Sequence, residues 1–232
     1  MASLPGRTDI APRGELRVDR MVDLVFPLRG KSIPADHGYP LFSALCRLIP
    51  WIHSDESLGV HAINGQIEAP RRLVLTERSG LRLRLTADRI PDCIGLTGTQ
   101  LDIDGDSITL GFPSLVPLLP ASSGFSRLVT VHGFTEAEPF LEAIRRQMTL
   151  HRIEGVASLV PRPATQPREE SVGGSGPWVR RTLRIRDKNI VGFALRVDHL
   201  TADESLRLQE HGVGGRRHFG CGLFIAPARA GR

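Results

Sequence analysis

The sequence contains little cysteine and no long apolar run. Its three cysteines, Cys46, Cys93 and Cys221, are far apart and show no paired ligand spacing, which is typical of buried free thiols in a cytosolic protein. No apolar stretch approaches the roughly 18 residues of a membrane span, and residues 1–20 lack the apolar core of a signal peptide. We therefore expect a cytoplasmic protein with no membrane partner.

Lysine is almost absent from the chain. Only Lys31 and Lys188 are lysines among 30 basic residues, so arginine supplies nearly all of the net charge of +5. Residues 176–232 alone carry eleven basic and five acidic residues, an excess larger than that of the whole chain. Arginine suits bidentate contacts with phosphate, although a GC-rich genome produces the same bias. The charge indicates an anionic partner.

The first half of the chain alternates between patterns of strand and helix. With 232 residues and 41% hydrophobic side chains, the protein can bury one large core or two small ones. Periodicity predicts, in order, a strand at 22–26, a helix at 39–53, a strand at 59–65, a hairpin at 71–87, a short helix at 88–96 and a hairpin at 99–112 turned at 104–106.

The second half repeats this plan more clearly. The predicted elements are a strand at 127–133, a helix at 135–153 begun by Thr135 and Glu138, a strand at 155–163, a hairpin at 178–200 turned at 187–189, a helix at 201–212 and a strand at 219–226. Four prolines and a GGSG run predict a mobile loop at 161–177. This order, βαββαβ, is ferredoxin-like.

We therefore expect an α+β fold of two tandem ferredoxin-like (RRM-like) modules with a C-terminal glycine-rich loop. The expected boundaries are a flexible segment at 1–20, a first module at 21–123 and a second module at 124–232.

The glycine-rich stretch "QEHGVGGRRHFGCGLFIAP", residues 209–227, allows several interpretations. A dinucleotide fingerprint fails because Arg217 occupies the third glycine position and a helix precedes the loop instead of following it. A linker fails because the apolar residues after the loop need burial. The stretch is then either a loop packed across a sheet, where a polyanion can approach the backbone, or a β-bulge and turn without a ligand.

The loop "GVGGRRHFGCG", lying between the last helix and the last strand, resembles that of the RAMP superfamily of CRISPR proteins. The stretch "FPLRGKSIPADHGYPLFSALCRLIPWIHSDESLGVHAING" is similar to the start of the repeat-RNA-processing endoribonucleases within that superfamily, and the resemblance covers residues 21–227. It implies metal-independent cleavage of CRISPR repeat RNA by attack of the 2′-hydroxyl, giving a 2′,3′-cyclic phosphate and a 5′-hydroxyl.

The resemblance also sets the expected partners. They are precursor and mature guide RNA and other subunits of a CRISPR effector complex, with no cofactor. The enzyme would remain bound to its product hairpin. Because non-cutting subunits share the glycine loop, the alternative is a subunit that holds the terminal handle of a guide RNA without cleaving it.

Cleavage of this kind needs a base, an acid and positive charge on the phosphate. The resemblance implies His37, Tyr39 and His53 near the helix of the first module, with Lys31 as a phosphate contact. Structural alternatives are a helix-cap hydrogen bond for His37, a helix-dipole interaction for His53 and plain solvation for Lys31. A metal hydrolase built from His37, His53, His61 and Asp36 is a further alternative that no recognised ligand spacing supports.

The expected RNA contacts lie in the second module. In the loop they are Gly212, Gly214, Gly215, Arg216, Arg217, His218, Gly220 and Gly222. In the preceding strand they are Arg180, Arg181, Arg184 and Arg186. Alternation would place Arg180, Arg184 and Arg186 on one strand face as a track for the RNA backbone. The alternative is a strand face kept soluble by arginine.

Overall fold

The computed structural model of the chain describes residues 21–69, 71–163 and 176–227. The expected flexible segment 1–20 and most of the predicted loop 161–177 lie outside these residues. None of the helices in these ranges has the length and apolar composition of a membrane-spanning segment.

The first half folds as a ferredoxin-like module with insertions. Its elements are β1 (Met21–Arg29), β2 (Ser32–Pro34), α1 (Gly38–Leu48), β3 (Gly59–Val60), β4 (Gln66–Ala69), β5 (Arg72–Val74), β6 (Gly80–Thr86), α2 (Ile90–Ile94), β7 (Gln100–Ile103), β8 (Asp106–Leu110) and β9 (Ser114–Pro117). Strands β3, β6, β1 and β9 lie side by side in that order, all antiparallel. With α1 and α2 between them in the chain, this is the expected βαββαβ arrangement.

The predicted hairpin at 71–87 is wrong. Strand β5 pairs with β2 and β4 in a separate three-stranded sheet, whereas β6 pairs with β1 and β3. A turn at 76–79 redirects the chain: the Thr76 amide donates to Ser79 Oγ, whose hydroxyl donates to the carbonyl of Asn64. The predicted hairpin at 99–112 is confirmed as β7–β8, with Asp104 and Gly105 at positive φ in its turn.

The second half forms the other module. Its elements are β10 (Ser123–Val129), α3 (Ala137–Leu150), β11 (Val156–Leu159), β12 (Arg180–Ile185), β13 (Lys188–Asp198) and α4 (Ala202–His211). Strands β11, β13 and β10 are neighbours, and Ile225 pairs with Phe125 where a fourth strand belongs. The predicted strand at 219–226 is thus reduced to one bridge, because glycines at positive φ bend the backbone just before it.

Several predicted helix ends also move. Helix α1 stops at Leu48 and a short 3-10 helix covers Pro50–His53, since Pro50 has no N–H to continue the helix. Helix α3 begins at Ala137 with no side-chain cap, so the cap expected from Thr135 is absent. The capping box of α4, from Thr201 and Glu204, is present.

Each module has its own apolar core, and a buried arginine joins the two. Arg84, on β6, is 1% exposed and donates to both carboxylate oxygens of Asp23, at 2.8 and 3.0 Å. Its remaining nitrogen donates to the carbonyls of Gln209 and Phe224 in the second module, at 2.8 and 2.7 Å. We call this contact the inter-module latch.

Candidate functional site

The glycine-rich loop packs directly on α1 and the turn that follows it. Phe42 of α1 stacks on His218 at 4.6 Å between ring centroids and meets the edge of Phe219 at 5.2 Å. His53 lies 6.4 Å from Phe42, and Tyr39 lies 6.1 Å from Phe219. These five side chains, which we call the ring cluster, bring the last third of the chain to the first.

His53 is the exposed imidazole of the ring cluster. It ends the 3-10 helix Pro50–His53, so the break in α1 at Pro50 places its ring at the rim of the cluster. An exposed imidazole is a side chain that can serve as a general acid or base towards a bound substrate. His53 and the loop residue His218 therefore stack on the same ring, that of Phe42.

Tyr39 connects the ring cluster to the β12–β13 hairpin. Arg186 Nε donates to the Tyr39 hydroxyl at 3.1 Å, and this hydrogen bond raises the pKa of Arg186. The Arg184 amide donates to Asp36 just before α1, at 2.7 Å, which fixes the hairpin beside Tyr39. A cation from the second module thus stands next to a phenol of the first.

His37 has a structural environment. It is 2% exposed, its Nδ1 donates to the Pro34 carbonyl at 3.0 Å, and its Nε2 accepts the Ile63 amide at 2.9 Å. Burial lowers the pKa of His37 to about 4. Both nitrogens are occupied and the ring is closed off from solvent, so this geometry favours a structural role over proton transfer to a substrate. The side chain of His37 makes no cap hydrogen bond to α1, so the helix-cap alternative is wrong.

Lys31 and His61 make no ring contact with the ring cluster in the described part of the chain. Lys31 is exposed in the connection between β1 and β2, and its side chain makes no hydrogen bond or ion pair with the cluster among the described residues. His61 lies 4.0 Å from Asp23 beside the inter-module latch, and burial lowers its pKa to about 3. No three side chains of His, Cys, Asp or Glu in the described ranges could hold a metal together, so the metal-hydrolase grouping is not assembled there.

Most loop glycines are needed for packing of the chain on itself. Gly212, Gly214, Gly220 and Gly222 all have positive φ. A Cβ on Gly214 would lie 2.7 Å from the Thr130 carbonyl, and one on Gly220 would lie 3.0 Å from the Ala62 amide. Gly215 differs, since a Cβ there would meet nothing within 4 Å. The amide and the carbonyl of Gly215 are nevertheless both hydrogen-bonded to Thr130, at 2.9 and 3.3 Å.

The polar side chains of the loop form hydrogen bonds within the protein, most of them with backbone carbonyls. Arg216 donates to Thr130 Oγ1 at 3.3 Å. Arg217 donates to three carbonyl groups, and burial lowers the pKa of Arg217 to about 10. His218 Nε2 contacts the Asp55 carbonyl at 2.7 Å. Sequence reasoning identified these residues but not their partners, which are up to 163 residues away in the chain.

The four arginines predicted to contact RNA from this hairpin do not share one face. Three lie on the two faces of β12, and the fourth lies in the turn that follows it. Arg180 donates to the Thr135 carbonyl at 2.8 Å and lies over the ring of Phe193. Arg184 shares its strand face and is exposed, whereas Arg181 lies on the opposite face, where burial lowers its pKa. Arg186 is in the hairpin turn with φ of 53°, because Ile185 pairs directly with Lys188. The turn therefore precedes the predicted position 187–189.

Two βαββαβ modules with a glycine-rich loop between the last helix and the place of the last strand define a tandem ferredoxin-like protein of the RAMP type. A family model described as Cas6 Crispr matches residues 22–229. The CRISPR-associated endonuclease Cas6 of Myxococcus xanthus (strain DK1622) is 38% identical over 211 residues, which are 91% of this chain and 84% of that protein. The chain belongs to the Cas6 family.

Solved structures share the fold at low sequence identity. A Cas6-related protein from Pyrococcus furiosus has a TM-score of 0.64 and 14% identity, over 90% of this chain and 100% of that one. A RAMP protein described as binding different RNA substrates has a TM-score of 0.63 and 13% identity, over 88% of this chain and 98% of that one.

Proposed function

We propose that this protein is an endoribonuclease that cuts CRISPR repeat RNA to release mature guide RNA. Membership of the Cas6 family, whose Myxococcus xanthus relative is named an endonuclease, supports this activity. The observation that carries it is the ring cluster, where the basic glycine loop meets the exposed His53. An RNA held on the second module can thereby reach an imidazole of the first.

The proposed reaction is an internal transesterification. The 2′-hydroxyl oxygen bonds to the adjacent phosphorus as its proton passes to a base, and the bond from phosphorus to the 5′-oxygen breaks as that oxygen gains a proton. His53 is suited to one of these transfers and Tyr39 to positioning or to the other. Arg186, beside Tyr39, supplies positive charge for the phosphate oxygens. No step in this scheme requires a metal.

Retention of the product hairpin follows from the charge of the second module. Arg184 and Arg186 are exposed next to the ring cluster. Phosphate contacts of this kind hold RNA without reading its sequence. We propose that repeat specificity comes from the shape of the hairpin and its unpaired bases.

The test is single-turnover cleavage of a repeat RNA by the full chain. We expect wild-type protein to cut in EDTA and to bind but not cut an RNA with a 2′-deoxy sugar at the cut site. His53→Asn should slow cleavage by about 10²–10⁴-fold while RNA affinity changes little. His199→Asn is the matched control, because His199 is exposed at φ of 60°, which asparagine tolerates.

Three outcomes would count against the proposal. Normal cutting of the 2′-deoxy RNA would reject the nucleophile, and loss of cutting in EDTA would reject metal independence. Tight binding by wild-type protein with no cleavage would instead establish the non-catalytic RAMP subunit as the correct alternative.

A further inference from the structure

Arg217 of the glycine loop is committed to contacts within the protein. Its two terminal nitrogens donate to the carbonyls of Glu210 and His211, at 2.8 and 2.5 Å, and of Ser57, at 3.3 Å. Its Nε atom is buried. Glu210 and His211 form the last turn of α4, where the helix dipole and unpaired carbonyls favour a cation. Arg217 therefore links the end of α4 to the turn that follows His53.

His218, the next residue, contacts the same turn. Its Nε2 lies 2.7 Å from the Asp55 carbonyl, so the ring donates its proton there, and its face stacks on Phe42. Asp55 itself shapes the turn, since its Oδ1 accepts the amide and hydroxyl of Ser57 at 2.9 and 2.6 Å. Two consecutive loop residues thus hold two carbonyls within 54–58, immediately after the exposed His53.

We propose that Arg217 and His218 are positioning residues that fix the turn 54–58, and through it the ring of His53, against the second module. This assignment rests on the proposed function for its effect on cleavage. It differs from the RNA-binding role expected from the sequence, because the donors of Arg217 are already used on backbone carbonyls. We call the hydrogen bonds from Arg217 and His218 to the turn 54–58 the tether. Small displacements of a catalytic group lower the reaction rate by large factors, so loss of the tether should affect turnover more than affinity.

The tether is first tested in the free protein by hydrogen exchange, which is independent of cleavage. In Arg217→Ala and in His218→Phe, which keeps a ring on Phe42 but loses the donated proton, the amides of 54–58 should exchange on the order of 10-fold faster. Arg196→Ala is the matched control, because Arg196 is exposed and pairs only with Asp198 in the described part of the chain. Unchanged exchange in both loop variants would overturn the inference.

The second test separates rate from affinity. Arg217→Lys should lower the single-turnover cleavage rate at saturating RNA on the order of 10-fold, because one ammonium cannot reproduce the fork to three carbonyls. Its affinity and the salt dependence of binding should match wild type. A phosphate-contacting arginine would behave differently, since lysine would largely replace it, and alanine would reduce the salt slope by about 1.

The outcomes keep the two proposals distinct. Wild-type protein that fails to cut, combined with faster exchange in the loop variants, rejects the nuclease and leaves the tether. A wild-type cleavage rate in Arg217→Lys, or a loss of affinity with an unchanged rate at saturation, rejects the positioning role. If thermal melting shows that Arg217→Ala is unfolded, Arg217→Lys and His218→Phe provide the answer.

Discussion

At the scale of single residues, His37 and His53 show what a motif can and cannot indicate. Both lie beside α1, as the sequence implies, but one is enclosed and the other exposed. The difference comes from Ile63, whose amide donates to His37 from 26 residues away. Local spacing contains no information about such a partner. The spacing of residues along the chain could identify the region around α1 as the candidate site. It could not show which of the two imidazoles is exposed to solvent.

The buried imidazole of His37 makes the fold sensitive to acid. An unfolded histidine titrates near ~6.5, and the folded-state pKa is about 4, so the unfolded chain binds more protons between these values. The stabilisation is complete above the unfolded pKa and is lost as pH falls towards the folded one, by up to about 1.4 kcal/mol per pH unit. Urea denaturation across this window measures the slope.

The variant His37→Gln should lose part of that pH dependence, whatever its stability at neutral pH. His61, with a pKa lowered to about 3, and His151, whose pKa burial also lowers, contribute in the same direction. An identical slope in wild type and His37→Gln would show that His37 is not neutral in the fold.

At the scale of elements, alternation and capping predicted most helices and strands but not all of their partners. The α4 capping box is a local signal and is present. The pairing of β5 is not a local feature of the sequence. Strand β5 pairs with β2 and β4 in a separate sheet and not with β6, the strand that follows it. The sequence places the glycine loop correctly after the last helix, yet its glycines mainly allow the chain to pack on itself.

The loop offers a matched pair of glycines. Gly222 has φ of 68° and a Cβ there would collide with the Val213 carbonyl, whereas a Cβ on Gly215 meets nothing within 4 Å. Gly222→Ala should lower the free energy of unfolding by about 2 kcal/mol or more, since strain and backbone overlap add. Gly215→Ala should stay within about 0.5 kcal/mol of wild type. Chemical denaturation of both variants decides this, and equal stabilities would contradict it.

At the scale of the whole molecule, two repeats of βαββαβ predicted two modules, but nothing in the sequence predicted how they join. Alternation of Arg82 and Arg84 with leucines suggests a solvent-facing strand side. The alternation shows only that the arginine-bearing face of β6 points away from the core of the first module. The other module covers it, so Arg84 is almost fully buried and completes the inter-module latch.

The latch predicts a large effect of one substitution. Arg84→Met should lower the free energy of unfolding by about 3–5 kcal/mol, because it leaves the Asp23 carboxylate buried beside unpaired carbonyls. Arg82→Met is the matched control: Arg82 also pairs with Asp23 but is 37% exposed, so about 1 kcal/mol is expected. In a double-mutant cycle, adding Asp23→Asn to Arg84→Met should restore part of the loss. Purely additive effects would mean that the two side chains act independently.

The latch also has a consequence for biosynthesis. Arg84 and its acceptor Phe224 are separated by 140 residues, so the ribosome delivers the guanidinium long before the carbonyl that it will bind. Until residue 224 has been synthesised, the nascent first half must keep this arginine and its aspartate in water. A polypeptide truncated shortly before residue 224 could therefore collapse in each half, but Arg84 and Asp23 at the contact between the modules would remain hydrated.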